Sequence, residues 1–187
     1  MKTVLLLVLS VAVVMSASAS FAQGVDAIML YSDNITFADC NLVDGAPGIL
    51  NVYAVHAFVV GATAAQFAIT ESHTMAYVAW TANHQVAVGN DPRIGVAVTY
   101  DLGCEAGPIL VGWIAYFAAG SSPVCSNITV VPDPIAASGR IEGVDCFFVS
   151  TFPNASVLTI NGDVTCTCGE QTPTEETSWG RVKALYN

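Results

Sequence analysis

One all-β domain, an antiparallel sandwich stapled by disulfides and followed by a short helical or extended tail, is the fold this 187-residue sequence predicts. Three observations point to it. Apolar segments of strand length, rich in Val, Ile, Tyr, Phe and Thr, alternate with turn signals about every 8–15 residues. No amphipathic helical pattern longer than about ten residues occurs before the tail. Six cysteines follow the leader-like N-terminus, an even number of the kind that braces exported sandwiches.

Taken in order, strands are expected over 25–31, 49–60, 64–70, 75–80, 84–89, 94–100, 108–118, 127–132, 139–149 and 156–161. Between them lie DGAPG, VVGAT, GNDPR, DLGCEAG, AGSSP, PDP and NGD, whose Gly, Pro, Asn and Asp are the residues turns require. The segment 108–118 is apolar on both alternating sets. Ile109, Val111, Trp113, Ala115 and Phe117 fall on one face; Leu110, Gly112, Ile114 and Tyr116 fall on the other. Either the strand is central and covered on both sides, or part of the surface is an apolar interaction patch.

The N-terminus reads as a secretory signal peptide over 1–22. Lys2 precedes the apolar run VLLLVLSVAVVM, and SASASFAQ supplies small residues for cleavage. That run is shorter than the roughly 20 residues needed to span a bilayer, and no later stretch is long and apolar enough. The expected organisation is signal 1–22, sandwich 23–168, polar linker 169–177 and tail 178–187, in a secreted, extracellular or periplasmic cell-surface protein.

Loss of Lys2 takes the formal charge from −10 to −11. The remaining basic residues are Arg93, Arg140, Arg181 and Lys183. So acidic a body cannot neutralise phosphates, which excludes nucleic acid as a partner. An anionic membrane surface would repel it too.

Cys40, Cys104, Cys125, Cys146, Cys166 and Cys168 are expected to form three disulfides, with 15 pairings open. If 108–118 and 127–132 are adjacent antiparallel strands, Cys104 and Cys125 lie at opposite ends, beyond the roughly 7 Å limit on Cα separation. Cys40 with Cys104, and Cys146 with the CTC pair, are the geometrically easier combinations. The one-residue spacing of CTC is too short for a usual zinc site.

Catalytic signatures are absent from the sequence: there is no HExxH and no GxSxG. His56 sits inside an apolar strand and reads as structural, whereas His73 and His84 lie near turns and read as solvated. Asp33, Asp39 and Asp44 lack the spacing of a calcium loop. They read as solvated carboxylates, with a loop calcium site left open. No cofactor is implied. Trp80 and Trp113 offer an alternative use as a stacking surface for sugar rings, although core packing is the commoner role of Trp in a strand. Three sequons, at Asn34, Asn127 and Asn154, matter only in a host that glycosylates them.

The tail SWGRVKALY places Trp179, Val182, Leu185 and Tyr186 near helical spacing, with Gly180 as a breaker and Arg181 and Lys183 within it. Nine residues do not hold a helix alone in water, so the tail must dock on something to be ordered. The order LYSD, CNL, PGILNVYAVH, ATAAQFAI, VVPDP, IEGVDC, NGDVTCTC and EETSWGRVKALY resembles a group of uncharacterised exported bacterial proteins. They end in a similar Trp-Gly-x-x-Lys-x-Leu-Tyr tail, here carried by Trp179, Gly180, Lys183, Leu185 and Tyr186. The resemblance implies a bacterial extracellular or cell-surface location and no activity. The stretch from NVYAVHAF through AAQFAI is similar to the opening strands of cohesin-type sandwiches, which implies an immunoglobulin-like or cohesin-like protein-binding or scaffold module.

The function expected is therefore non-enzymatic binding or structure at the cell surface, with the tail as a sorting or docking element. The partner would be a protein or a glycan. A carbohydrate-binding module and a self-assembling envelope or fibre subunit are the alternatives.

Overall fold

The computed structural model describes residues 25–166. The signal segment 1–22, the linker 169–177, the tail 178–187 and Cys168 lie outside the described residues. Thirteen strands are present and, among the described residues, no helix.

The strands are β1 (Ala27–Tyr31), β2 (Asn41–Leu42), β3 (Pro47–Ala57), β4 (Ala62–Glu71), β5 (Ala76–Ala82), β6 (Gln85–Asp91) and β7 (Gly95–Thr99). After them come β8 (Ile109–Ala119), β9 (Ser126–Val131), β10 (Glu142–Asp145), β11 (Ser150–Thr151), β12 (Asn154–Ala155) and β13 (Val157–Ile160). They form two sheets. One runs β12-β1-β3-β8-β5; the other runs β11-β10-β4-β9-β13-β2, with β7 also on β4 and β6 on β7. Pairing is antiparallel except between β1 and β12 and between β13 and β2. The sandwich is thus mixed at its margins rather than wholly antiparallel.

Side chains alternate across a strand, so each sheet sends every second residue inward. Ile28 and Leu30, Val52 and Ala54, and Ile114 and Tyr116 come from the first sheet. They meet Phe67 and Ile69, Val96 and Val98, Ile128 and Val130, and Leu158 and Ile160 from the second. These side chains are essentially withdrawn from water, and their burial is the main stabilising contribution.

In β8 the register departs from simple alternation. Val55 pairs with Leu110 and Ala54 with Gly112, so Val111 is an extra, bulged residue. Ile109 and Val111 point inward before the bulge, and Gly112, Ile114, Tyr116 and Ala118 point inward after it. Trp113, Ala115 and Phe117 therefore do not share a face with Ile109 and Val111, as strict alternation predicts. They lie on the outer side, half-buried to exposed. Part of that outer face is covered by the loop after β1, where Phe37 packs on Tyr31.

Two disulfides are defined: Cys104–Cys146, with Cα atoms 5.1 Å apart, and Cys125–Cys166, at 5.7 Å. Cys40 is disulfide-bonded as well. Cys104 and Cys125 are indeed not partners. The expected Cys40–Cys104 and Cys146–CTC combinations are not those observed, because Cys146 meets Cys104 across the β4 margin and Cys125 takes Cys166 of the CTC. Such cross-links belong to an oxidising, extracellular or periplasmic environment. Among the described residues no helix is long and apolar enough to cross a membrane.

The expected strand over 139–149 is shortened to β10. Asp145 accepts hydrogen bonds at its Oδ1 from the N–H groups of Phe147 and Val149, both at 2.8 Å, and turns the chain there.

Close packing under β8 is tested by Gly112→Ala. An added Cβ would lie 2.5 Å from the Thr81 carbonyl oxygen and 2.6 Å from the Trp80 ring. Overpacking of this kind costs about 1–3 kcal/mol, read as a lowered urea midpoint followed by Trp fluorescence. Gly48→Ala, where a Cβ meets nothing within 4 Å, should stay within about 0.5 kcal/mol of the parent.

Candidate functional site

One end of the sandwich gathers the ends of β3 and β7, the starts of β4 and β8, and the β10–β11 turn. Cys104–Cys146 joins two of these loops. A Cβ on Gly61 would stand 2.6 Å from Cys146 Sγ and 3.2 Å from Cys104 Sγ, so the β3–β4 loop lies directly against the cross-link. Around it stand large apolar side chains in water. Val60 is 96% exposed, Leu102 85%, Phe147 84% and Phe148 82%, with Phe58 and Val149 about half exposed. Phe58 and Phe148 hold φ values of 59° and 61°. That left-handed region suits glycine or asparagine, and a bulky residue there is strained. The fold retains the strain and presents the two rings to solvent.

Beneath this end lies a polar relay. Asp26, His56 and Tyr100 all point inward by strand parity, and His56 is fully buried. Its Nδ1 is 2.8 Å from the Tyr100 hydroxyl and its Nε2 is 2.7 Å from Asp26 Oδ1. Every group is satisfied when Tyr100 O–H donates to Nδ1 and Nε2–H donates to Asp26. Burial pushes the Tyr100 hydroxyl well above the usual phenol range, and the Asp26 and Glu105 charges add to this. A core hydroxyl that holds its proton so firmly is the reverse of an activated nucleophile. The relay ties β1, β3 and the end of β7 together, which is the structural role expected of His56.

His84 packs on Tyr100 with ring centroids 5.1 Å apart, and its Nδ1 is 3.8 Å from both Asp101 Oδ2 and Glu105 Oε1. Its side chain is 9% exposed, and that of His73 is 1% exposed. Neither is the solvated histidine its position near a turn suggests, because each ring is covered by an aromatic neighbour, Tyr100 or Tyr116.

At the opposite end Asp44 is buried rather than solvated, whereas Asp39 is exposed and Asp33 partly exposed, as expected of solvated carboxylates. Asp33 Oδ1 accepts from the N–H groups of Ile35, Thr36 and Phe37, and Oδ2 from those of Ala38 and Asp39. Buried Asp44 accepts from the N–H groups of Gly120 and Ser122, at 2.6 and 2.9 Å. Both carboxylates are ringed by donors, the wrong environment for calcium. The Thr36 N–H, the largest cause, holds Asp33 below the usual carboxylate range. Asp44 is held down first by its Ser122 hydroxyl contact and then by backbone N–H groups. Burial, partly opposed by the charges of Glu71 and Asp44, lowers the His73 imidazole. Cys125, Asp163 and Cys166 converge as potential metal ligands, but the two sulfurs are bonded to each other.

The two tryptophans are not brought together. Trp80 faces inward against Phe67, at 6.5 Å between centroids. Trp113 lies on the outer face between Tyr53 and Thr81. Trp179, Gly180, Lys183, Leu185 and Tyr186 lie outside the described residues. The apolar end and the Asp26–His56–Tyr100 relay went unrecognised in the sequence. Its one trace is the run CFFV beside a cysteine, which reads equally as strand. No protein-family model matches this chain, and no curated protein does so either.

His56→Ala should leave Asp26 and Tyr100 unpaired and cost about 1–3 kcal/mol, measured by urea unfolding with near-UV circular dichroism as the check on the fold. Acid should act in two steps. His73 has a lowered imidazole pKa, so stability declines as pH falls below the unfolded value of about 6.5. Asp33 and Asp44 have lowered carboxyl pKa values, so their contribution is complete above about pH 4 and is lost as pH falls through the folded values. Asp44→Asn should flatten the second step of a urea-midpoint profile taken from pH 8 to pH 2.

Proposed function

We propose that this chain is an exported, non-enzymatic binding module that engages its partner through the apolar, disulfide-braced end. One observation carries the reading: Phe147 and Phe148 stand almost wholly in water on a turn fixed by Asp145 and Cys146. Exposed apolar clusters on soluble proteins mark interaction sites. Export is supported by the leader-like residues 1–22 and by disulfide chemistry. Immunoglobulin-like or cohesin-like kinship belongs to the same proposal, with residues 178–187 as the sorting or docking element.

A second reading is favoured by Trp113, Tyr53 and Phe117, which present aromatic surface on the outer face of the five-stranded sheet. Such a face suits stacking on a sugar ring.

Fluorescently labelled protein, titrated onto envelope preparations of the producing cell, separates the two. Phe147→Ser/Phe148→Gly should weaken binding tenfold or more, as loss of interface anchors does, and Trp113→Ala should leave it unchanged. Loss with Trp113→Ala alone, competed by soluble glycan, would move the function to the outer face. Absence of binding by the parent protein would remove the module reading.

A further inference from the structure

We propose that the partner of this end is a zwitterionic lipid surface, into which Phe147, Phe148, Leu102 and Val60 insert to shallow depth. This rests on reading that end as the binding surface, and three features select lipid over protein.

The first is backbone satisfaction. Phe147 and Val149 donate their N–H groups to Asp145 Oδ1, and Phe148 donates to the Asp145 carbonyl. Leu102 donates to Glu105 Oε1, and Gly103 to the Tyr100 carbonyl. With these N–H groups already bonded, residues 147–149 and 102–103 can leave water at a reduced cost in unsatisfied donors.

The second is the distribution of charge. Residues 146–152, CFFVSTF, carry none, nor do 58–64, FVVGATA. Asp101 and Glu105, beside Leu102, lie toward His84. Arg140 stacks on Phe152, 4.1 Å from the ring centroid. Phe152 lies three positions beyond Val149, roughly 10 Å at strand rise, which places an aromatic and a cation near the level of lipid headgroups when the tip is inserted. The chain carries a net charge of −10, so anionic lipid and a second copy are both repelled and neutral headgroups are tolerated.

The third is shape. The apolar side chains are carried by three separate loops on one cross-linked end and stand largely in water. A deformable surface accepts such a projection without a complementary pocket.

Sedimentation of the full chain with phosphatidylcholine vesicles at millimolar lipid tests this. The parent protein should sediment, and adding phosphatidylglycerol should weaken binding at low salt. Phe147→Ser/Phe148→Gly should lose at least tenfold in partitioning; glycine at 148 fits the left-handed backbone there and preserves the turn. Leu102→Ser, on the other loop, should lose severalfold with circular dichroism unchanged. A parent that stays in the supernatant at every lipid concentration overturns the proposal, as does binding indifferent to both variants. If the same variants abolish binding to envelope protein but the parent ignores vesicles, the lipid assignment falls and the binding module stands. A parent dimer dissolved by the Phe147/Phe148 variant would likewise overturn it in favour of a second copy.

Discussion

The cross-link between Cys104 and Cys146 sets the conditions under which the rest of the exposed end exists. It closes a separation of 42 residues, which in the chain-entropy account stabilises by about 4 kcal/mol. It also packs against Gly61, so a third loop lies against the covalent contact that joins the other two. Apolar side chains on unbraced loops would gain by folding back onto the sandwich. Here Phe147 and Phe148 follow the bonded Cys146 in a turn whose backbone is pinned by Asp145, and they have nowhere inward to go.

The same economy of fixed points appears inside. Few cations are available to this acidic chain, so several of its polar groups are met by neutral partners, while buried His73 Nε2, Trp80 Nε1 and Thr151 Oγ1 have no hydrogen-bond partner. Asp44 takes backbone N–H groups, Asp33 takes five from its own loop, and His56 bridges a carboxylate and a phenol. Arg93, bonded to Asp91 and stacked on Tyr77 at 3.7 Å, is an exception. Buried carboxylates held by N–H groups tie loops together over short distances, and they do so without the desolvation cost of a buried ion pair.

The long strands were legible because their apolar content and flanking turns are local signals. β3, β4 and β8 fall within a few residues of their expected limits. What escaped was non-local. The bulge at Val111 depends on its partner β3 and changes which face Trp113 and Phe117 occupy. Two-residue strands such as β2 and β12 exist only through their partners. The segment 139–149 has strand composition throughout, and only the hydrogen bonds of Asp145 convert its second half into a turn. Of the candidate site, the cysteines and His56 were visible. Asp26 and Tyr100 were not, since their meeting requires three strands to be in register.

The bulge in β8 also constrains how such a chain can vary over generations. Strand side chains alternate with a period of two, so losing a single residue of β8 beyond the bulge, such as Ala115, would carry Ile114 or Tyr116 to the outer face, whereas losing Val111 would only remove the bulge. Insertions and deletions should therefore be purged from β3 and from β8 beyond its bulge. Length changes would instead accumulate between β9 and β10, where residues 134–140 cross the surface outside any strand. Lineages descended from one ancestor would differ most in the reach of that connection and least in the phase of β8.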